Sequence, residues 1–219
     1  MVRVDLVRVL GIDPGLTRCG VGVVDVAGNR SATLVDVATL KSAPDLPLEE
    51  RLLLLSRGIE DMLDRHRPQF VAIERVFAQH NVRTVMGTAQ ISGVALLLAA
   101  QRGLTVTLHT PSEVKAAITG YGSADKKQVG TMVARILGLT EIPKPADSAD
   151  ALALAICHAW RTGAAGGTLP TKASIAESGP AAALTPAQKA WRAAERGTTQ
   201  HETTQRGTSL SVAPRSLKR

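Results

Sequence analysis

Aromatic residues are almost missing from this sequence, in which Phe, Trp and Tyr together make up 2% of 219 residues. A hydrophobic core must therefore be built from Leu, Val, Ile and Ala, which recur throughout residues 1–162. That stretch is long enough to bury a substantial core. We expect one folded domain in residues 1–162 and a tail in residues 163–219, where the composition shifts to Gly, Ala, Thr, Ser, Pro and Gln.

Cysteines and long apolar runs are scarce as well. Cys19 and Cys157 are too few for a disulfide framework and lack the spacing of metal ligands, so we expect two buried, inert thiols. The longest apolar stretch, residues 93–100, is far too short to span a bilayer, and the first residues contain no apolar segment of the kind a secretory signal needs. The sequence predicts a soluble, cytoplasmic protein without a membrane partner.

The net charge of +7 is distributed unevenly along the chain. Residues 1–162 carry 18 Lys and Arg against 16 Asp and Glu, a net of +2, whereas residues 163–219 carry 8 against 3, a net of +5. A basic balance suggests a polyanionic partner without proving one. The composition of the tail predicts a basic, disordered segment, with a short helix near residues 186–196 as the alternative.

The hydrophobic pattern predicts a mixed α/β sheet with helices on both faces. Five strands are expected at residues 7–13, 20–26, 31–40, 70–74 and 105–108. Helical periodicity indicates helices at residues 48–66, 81–101, 111–119, 124–138 and 147–161. Tight turns make the first three strands an antiparallel meander, and the crossover helix then requires the fourth strand to lie parallel to the first.

Four carboxylates stand where these elements begin or end. Asp13 and Glu74 each close an apolar run, while Asp147 and Asp150 lie three residues apart in one predicted helix. The parallel strands place Asp13 and Glu74 at one sheet edge, and the spacing of three places the other two acids on one helix face. Carboxylates beside buried strands are costly to desolvate unless a cation compensates them. The pattern predicts a divalent-metal site for phosphodiester chemistry, in which two cations about 3.5 to 4 Å apart activate a water and stabilise the departing oxygen.

Two of these acids also have ordinary structural interpretations. Asp13 stands in the turn-forming sequence Asp13-Pro14-Gly15, and Asp147 could be a helix N-cap after Pro145. Glu74 has no turn role, and Asp150 comes too late in its helix to serve only as a cap. The four acids together favour the metal site.

Basic residues are candidates for contacts with a phosphate backbone. Lys126 and Lys127 fall in the first turn of a helix that we expect Ser123 to cap, where the helix dipole favours anions. A bound phosphate would remove this mismatch; the alternative is solvated lysines with Asp125 offsetting one charge. Further candidates, each weak alone, are Lys115, Arg75, Arg83 and His80.

Two apolar features suggest contacts but leave alternatives open. Phe77, in the loop after Glu74, could stack on an unpaired base, although the residues alone favour packing under the next helix. Residues 91–100 are apolar on nearly every helix face. One side can cover the sheet, and the other requires either a second copy of the chain or complete burial as a central helix. The sequence supports a homodimer and a covered helix about equally.

Four blocks of this sequence, in order between about residues 8 and 161, resemble the RuvC family of bacterial Holliday-junction resolvases. They are Gly11-Ile12-Asp13-Pro14-Gly15, Ala72-Ile73-Glu74-Arg75-Val76-Phe77, Gly120-Tyr121-Gly122-Ser123-Ala124-Asp125-Lys126 and Ala146-Asp147-Ser148-Ala149-Asp150-Ala151-Leu152-Ala153. The resemblance implies a ribonuclease H-like fold and a homodimer that nicks four-way DNA junctions in pairs during recombination and repair. It also implies two Mg²⁺ ions per site, with Mn²⁺ as a substitute, and cooperation with a branch-migration complex.

By residue, the resemblance assigns catalysis and metal binding to Asp13, Glu74, Asp147 and Asp150. It assigns DNA contact to Lys115 and Lys126. It also implies that Phe77 inserts near the junction centre, which reverses the packing interpretation.

The sequence departs from the family pattern in two places. Ser92 stands where the family often has Arg, which removes a positive charge and could alter contacts near the DNA or the dimer surface. Residues 163–219 look longer than the family needs.

Two other functions remain open. Asp13-Pro14-Gly15-Leu16-Thr17 also fits the phosphate turn of actin-like ATPases, but those proteins need a second nucleotide-binding half for which this chain is too short. A non-catalytic junction-binding protein is the other alternative, and the four intact acids argue against it.

Overall fold

The computed structural model describes residues 6–76 and 82–162, with the side chains of residues 82–84 outside the description. The described residues all lie in one compact unit, Met1–Leu169. The predicted tail lies outside the described residues, so the domain boundary at residue 162 stays a prediction. None of the helices in these ranges combines the length and apolar character that crossing a membrane requires.

The described ranges contain a sheet and helices close to those predicted. The strands are β1 Val7–Asp13, β2 Arg18–Val26, β3 Ala32–Lys41, β4 Phe70–Glu74 and β5 Thr105–His109. The helices are α1 Leu48–His66, α2 Val82–Gln101, α3 Pro111–Thr119, α4 Lys126–Ile136 and α5 Ala146–Arg161. β2 begins two residues earlier than expected, because the turn after Asp13 is shorter than its Pro and Gly suggest.

The strand order β3-β2-β1-β4-β5 places the first strand at the centre of the sheet. β1 pairs antiparallel with β2 and parallel with β4, and β5 is parallel to β4. Ile12 lies beside Ile73 in this register, so Asp13 and Glu74 each follow one residue later at the same edge. The predicted mixed five-stranded sheet is confirmed, and so is the shared edge.

Alternation along β1 divides the core between the two faces of the sheet. Val7 and Val9 pack with the apolar side of α5, together with α3 and α4. Leu10 and Ile12 pack on the other face with α1 and α2. Close approach of α5 requires small residues on the facing strands: a Cβ added at Gly11 would collide with the carbonyl of Ala151.

Two expectations about helix starts are corrected by the structure. The N-cap of α4 is Asp125, not Ser123, because the Asp125 carboxylate accepts from the backbone N–H of Gln128, whose side chain accepts in return. The N-cap of α5 is Pro145, so Asp147 lies in the first turn and is not a cap. Asp147 therefore does not have the helix-capping role that the sequence left open.

Candidate active site

An acidic cleft lies at the sheet edge where β1 and β4 end. Its volume is about 200 Å³, and its lining residues are Asp13, Glu74, Pro111, Val114, Lys115, Lys126, Val129 and Asp150. The two strands supply the first two acids, and the second turn of α5 supplies Asp150. The fold thus brings three carboxylates and two lysines from distant parts of the sequence to one place.

Burial and mutual repulsion disturb the protonation of these acids. Burial raises the pKa of Asp13 to about 7, with further increases from the charges of Glu74 and Asp150, while Lys126 opposes the shift. Burial and then Asp150 raise the pKa of Glu74, and Lys126 and Lys115 lower it. Two acids held above their usual pKa in one cleft are stabilised as carboxylates only when positive charge approaches them.

Lys126 supplies part of that positive charge. Its ammonium donates a hydrogen bond of 2.9 Å to Oδ2 of Asp150, which is the main cause of the raised pKa of Lys126. The lysine side chain is 73% exposed, so solvent screens the pair. Lys126 therefore reaches the acids from the open side of the cleft.

Asp147 lies at a neighbouring cleft rather than in the lining of the acidic one. This basic cleft has a volume of about 370 Å³ and is lined by Gly15, Leu16, Thr17, Arg18, Arg51, Gly87, Thr88 and Asp147. The buried Oδ2 of Asp147 has no hydrogen-bond partner, although the Nε of Arg18 lies 3.2 Å from it in poor hydrogen-bond alignment. The charge of Asp147 still raises the pKa of Asp13, so the two acids are close.

The chemistry of these donors fits a divalent cation. Carboxylate oxygens are the ligands that Mg²⁺ prefers, and the acids here are partly buried, mutually repelling and, at Asp147, left with an unsatisfied oxygen. In the described residues, no three His, Cys, Asp or Glu side chains already stand close enough together to hold an ion. Coordination by three of the four acids therefore requires side-chain rotation.

The structure describes some of the other predicted DNA-contact residues and leaves others outside the described ranges. Lys115 lines the acidic cleft, whereas Lys127 is exposed on α4 without a place in that lining. Arg75 is exposed directly after β4, where its backbone N–H donates to the carbonyl of His109. Phe77 and His80 lie outside the described residues, as does the side chain of Arg83. Their roles stay predictions.

Sequence reasoning missed several residues near the cleft. Arg18 and Arg51 escaped notice because each stands alone in the sequence among ordinary turn or helix residues. Another omission is a buried histidine pair, in which Nε2 of His109 lies 3.1 Å from Nδ1 of His158. Burial lowers the pKa of both, to about 4 in His158. In the sequence, the one signal for this histidine pair was the position of His109 at the end of a strand.

The cysteines and Ser92 are placed away from solvent. Both cysteines are free and buried, as expected, and burial raises the pKa of Cys19 to about 12 and that of Cys157 to about 11. Ser92 is buried in α2 and donates to the carbonyl of Thr88. Because Ser92 is buried, its side chain is not suited to direct contact with DNA or with a second copy of the chain.

The outer side of α2 is exposed in the single chain. Ile91 and Ala95 are fully buried against the sheet, whereas Met86 and Leu97 are 54% and 58% exposed. Leu53 and Leu54 of the adjacent α1 are also about half exposed, at 48% and 46%. The interpretation of α2 as a fully covered central helix is therefore wrong for the single chain.

The sheet topology and the acids at the ends of β1 and β4 define a class, the ribonuclease H-like nucleases. A family model described as "Crossover junction endodeoxyribonuclease RuvC" matches residues 9–158. The chain belongs to this crossover junction endodeoxyribonuclease RuvC family, which confirms the resemblance read from the motifs. Membership implies a deoxyribonuclease with a divalent metal cofactor.

Individual relatives agree with the family match. The RuvC protein of Leifsonia xyli is 65% identical over 217 residues, covering 97% of this chain and 99% of the relative. That of Clavibacter sepedonicus is 64% identical over 197 residues, covering 86% and 97%. A solved structure, Thermus thermophilus RuvC in complex with Holliday junction substrate, is 38% identical, covers 74% of this chain and 98% of that chain, and has a TM-score of 0.69. The first match extends beyond residue 162, so a tail of similar length occurs in at least one relative.

Proposed function

We propose that this protein resolves four-way DNA junctions by paired, symmetric nicking in recombination and repair. The observation that supports this function best is the acidic cleft, in which Asp13, Glu74 and Asp150 meet Lys126 at a sheet edge of a RuvC-family chain. Hydrolysis of a phosphodiester there would leave a 5′ phosphate and a 3′ hydroxyl. A four-way junction is also the substrate named for the Thermus thermophilus complex.

Asp13, Glu74, Asp147 and Asp150 are the residues proposed to hold two Mg²⁺ ions, with Mn²⁺ as a substitute. When bound, the metal supplies an activated water and stabilises the departing 3′ oxygen. The chain itself contributes the buried carboxylates and two lysines, Lys115 and Lys126, that face an incoming phosphate from the other side of the cleft. The ammonium of Lys126 would be available to the phosphate once Asp150 no longer accepts its hydrogen bond.

Further DNA contacts are proposed outside the cleft. Lys127, Arg75 and Arg83 would contact the backbone near the cut, and Phe77 would insert near the junction centre. Replacement of Phe77 by Ala is expected to slow nicking without lowering the melting temperature, and mismatches beside the cut should restore the rate because less unstacking is needed. A large melting loss without such rescue would make Phe77 a packing residue.

A homodimer would place two equivalent clefts on one junction. Met86 and Leu97 of α2 and Leu53 and Leu54 of α1 are exposed apolar residues that a second copy would cover. A two-fold interface uses the same surface on both subunits, so the clefts would address symmetrically related strands. A branch-migration complex is the further partner we expect, in the cytoplasm.

One experiment separates this function from its two rivals. The protein is incubated with Mg²⁺ and, in separate reactions, a labelled four-way junction, a linear duplex of the same sequence and ATP. Symmetric nicks in the junction alone support the proposal, and Asp150→Asn serves as the inactive control. Binding without nicks would identify a junction-binding protein instead.

ATP hydrolysis without junction nicks would identify an actin-like enzyme instead.

A further inference from the structure

We propose that Arg18, Lys41 and Arg51 form a second phosphate subsite, beside the acidic cleft on its β2 and β3 side. Its ligand would be a DNA backbone phosphate that flanks the one being cut, on the strand lying across the sheet edge. This inference rests on the proposed nuclease function. It adds a binding site to the basic residues on the opposite flank, Lys115 and Lys126.

Two of the cations oppose each other directly in the sheet. Arg18 begins β2, Lys41 ends β3, and the two are cross-strand partners. Both are exposed, and Arg18 retains 60% of its side-chain exposure. Like charges directly opposite on neighbouring strands destabilise a sheet. The fold gains nothing from this pair, whereas an anion between the two side chains would turn the repulsion into binding.

The third cation is held in place by neutral groups. The Nε of Arg51 donates to the hydroxyl of Ser42 at 3.0 Å, and its Nη2 donates to the hydroxyl of Thr17 at 2.9 Å. Ser42 is itself buried and fixed, because its hydroxyl donates to the carbonyl of Leu16. These acceptors orient the guanidinium without neutralising its charge. Arg51 is therefore preorganised beside the turn that follows Asp13.

The basic cleft connects these cations to the acids. Arg18 and Arg51 line it together with the hydroxyl-bearing Thr17 and Thr88 and with Asp147, whose charge acts on Asp13 in the acidic cleft. Lys41 is not in this lining but lies opposite Arg18 on the neighbouring strand. The Nε of Arg18 is 3.2 Å from Oδ2 of Asp147.

A phosphate suits this cleft better than other anions. Guanidinium groups match phosphate oxygens with two parallel donors, and hydroxyls add neutral donors at the rim. Asp147 lines the basic cleft and lies close to Asp13 of the acidic cleft. The end of β1, the start of β2 and the end of β3 all lie at one edge of the sheet. A continuous polyanion is the ligand that reaches both clefts at once.

The test measures junction affinity against salt concentration, with EDTA present so that no cutting occurs. Lys41→Gln is the main variant, Arg18→Gln is the second, and Arg135→Gln is the control with the same charge change at an exposed site on α4. Loss of one phosphate contact should reduce the slope of log K against log salt by about 0.9. The affinity gap between parent and variant should then shrink about 3.5-fold between 50 and 200 mM salt. The Arg135→Gln slope should equal that of the parent.

Melting temperature separates this role from a structural one. Lys41→Gln should melt at or above the temperature of the parent, because it removes the repulsion with Arg18. Slopes of Lys41→Gln and Arg18→Gln that equal those of the parent and Arg135→Gln would overturn the subsite while leaving the nuclease function intact. A parent protein that neither binds nor nicks the junction would overturn both.

Discussion

The ammonium of Lys126, at the first residue of α4, donates a hydrogen bond to Oδ2 of Asp150 in α5 across 2.9 Å. This contact offsets the charge of one acid of the cleft. A divalent cation at the Asp150 carboxylate would compete with the ammonium for this acid. The same ammonium opposes the raised pKa of Asp13 and that of Glu74, and the charge of Asp147 raises the pKa of Lys126, so the ammonium interacts with all four acids.

Replacement of Lys126 by Met should therefore change metal and DNA binding in opposite directions. Mg²⁺ or Mn²⁺ alone should bind more tightly, because Asp150 is released, and the metal-induced rise in melting temperature should begin at lower metal concentration. Junction affinity should fall for every sequence, with a salt slope reduced by about 0.9. Lys127→Met is the control, since Lys127 is exposed and does not line the cleft. Equal metal affinity in both variants would contradict the competition.

Asp147→Asn and Asp150→Asn should both abolish nicking and leave junction binding intact or tighter. Each change weakens metal ligation but removes negative charge near phosphates. Nicking rate and affinity on the same labelled junction provide the measurement. Asp125→Asn is a matched control, because Asn caps helices as well as Asp and the site lies beside Lys126 in the chain. Ordinary cutting by Asp147→Asn would remove Asp147 from the ligands.

Gly20→Ala should destabilise the protein and displace Asp147. A Cβ at residue 20 would collide with the carbonyl of Asp147, so α5 would have to move away from β2. Overpacking of this kind costs about 1 to 3 kcal/mol, which denaturant unfolding can measure. Gly122→Ala is the control, since a Cβ there meets its nearest atom at 3.4 Å, ordinary van der Waals contact. Similar unfolding free energies for the two variants would show that the sheet and α5 adjust freely.

The buried histidine pair should make stability fall in mild acid. His158 is neutral in the folded protein, where its pKa is about 4, against about 6.5 in an unfolded chain. At His158 the unfolded state therefore binds more protons as the pH falls from about 6.5 towards 4, so this residue alone contributes a loss on the order of 3 kcal/mol across that window, while the raised pKa of Asp13 acts in the opposite direction. The free energy of unfolding of His158→Leu should therefore fall less, or rise more, than that of the parent as the pH is lowered through this range. A curve parallel to that of the parent would assign the acid sensitivity elsewhere.

Local pattern was enough to predict most of the fold. The sequence alone places the strand-ending acids Asp13 and Glu74 together, because a crossover helix makes β1 and β4 parallel and parallel strands end at one edge. Helix bounds followed from periodicity, as in Leu48–His66. Local pattern did not identify the N-cap of α4, because Ser123 and Asp125 both suit the role and only the backbone path selects between them.

What the sequence determined about this protein is the set of elements and the chemistry of the residues at their ends. Only tertiary structure decided which acids share a cleft. Asp147 and Asp150 are about 60° apart around α5, and the close packing of that helix on Gly20 turns Asp147 towards Arg18 and Asp150 towards Lys126. The same holds for Arg51, whose partners Thr17 and Ser42 come from other elements. Periodicity records which face of an element is apolar, whereas the packing of whole elements fixes which polar side chains meet.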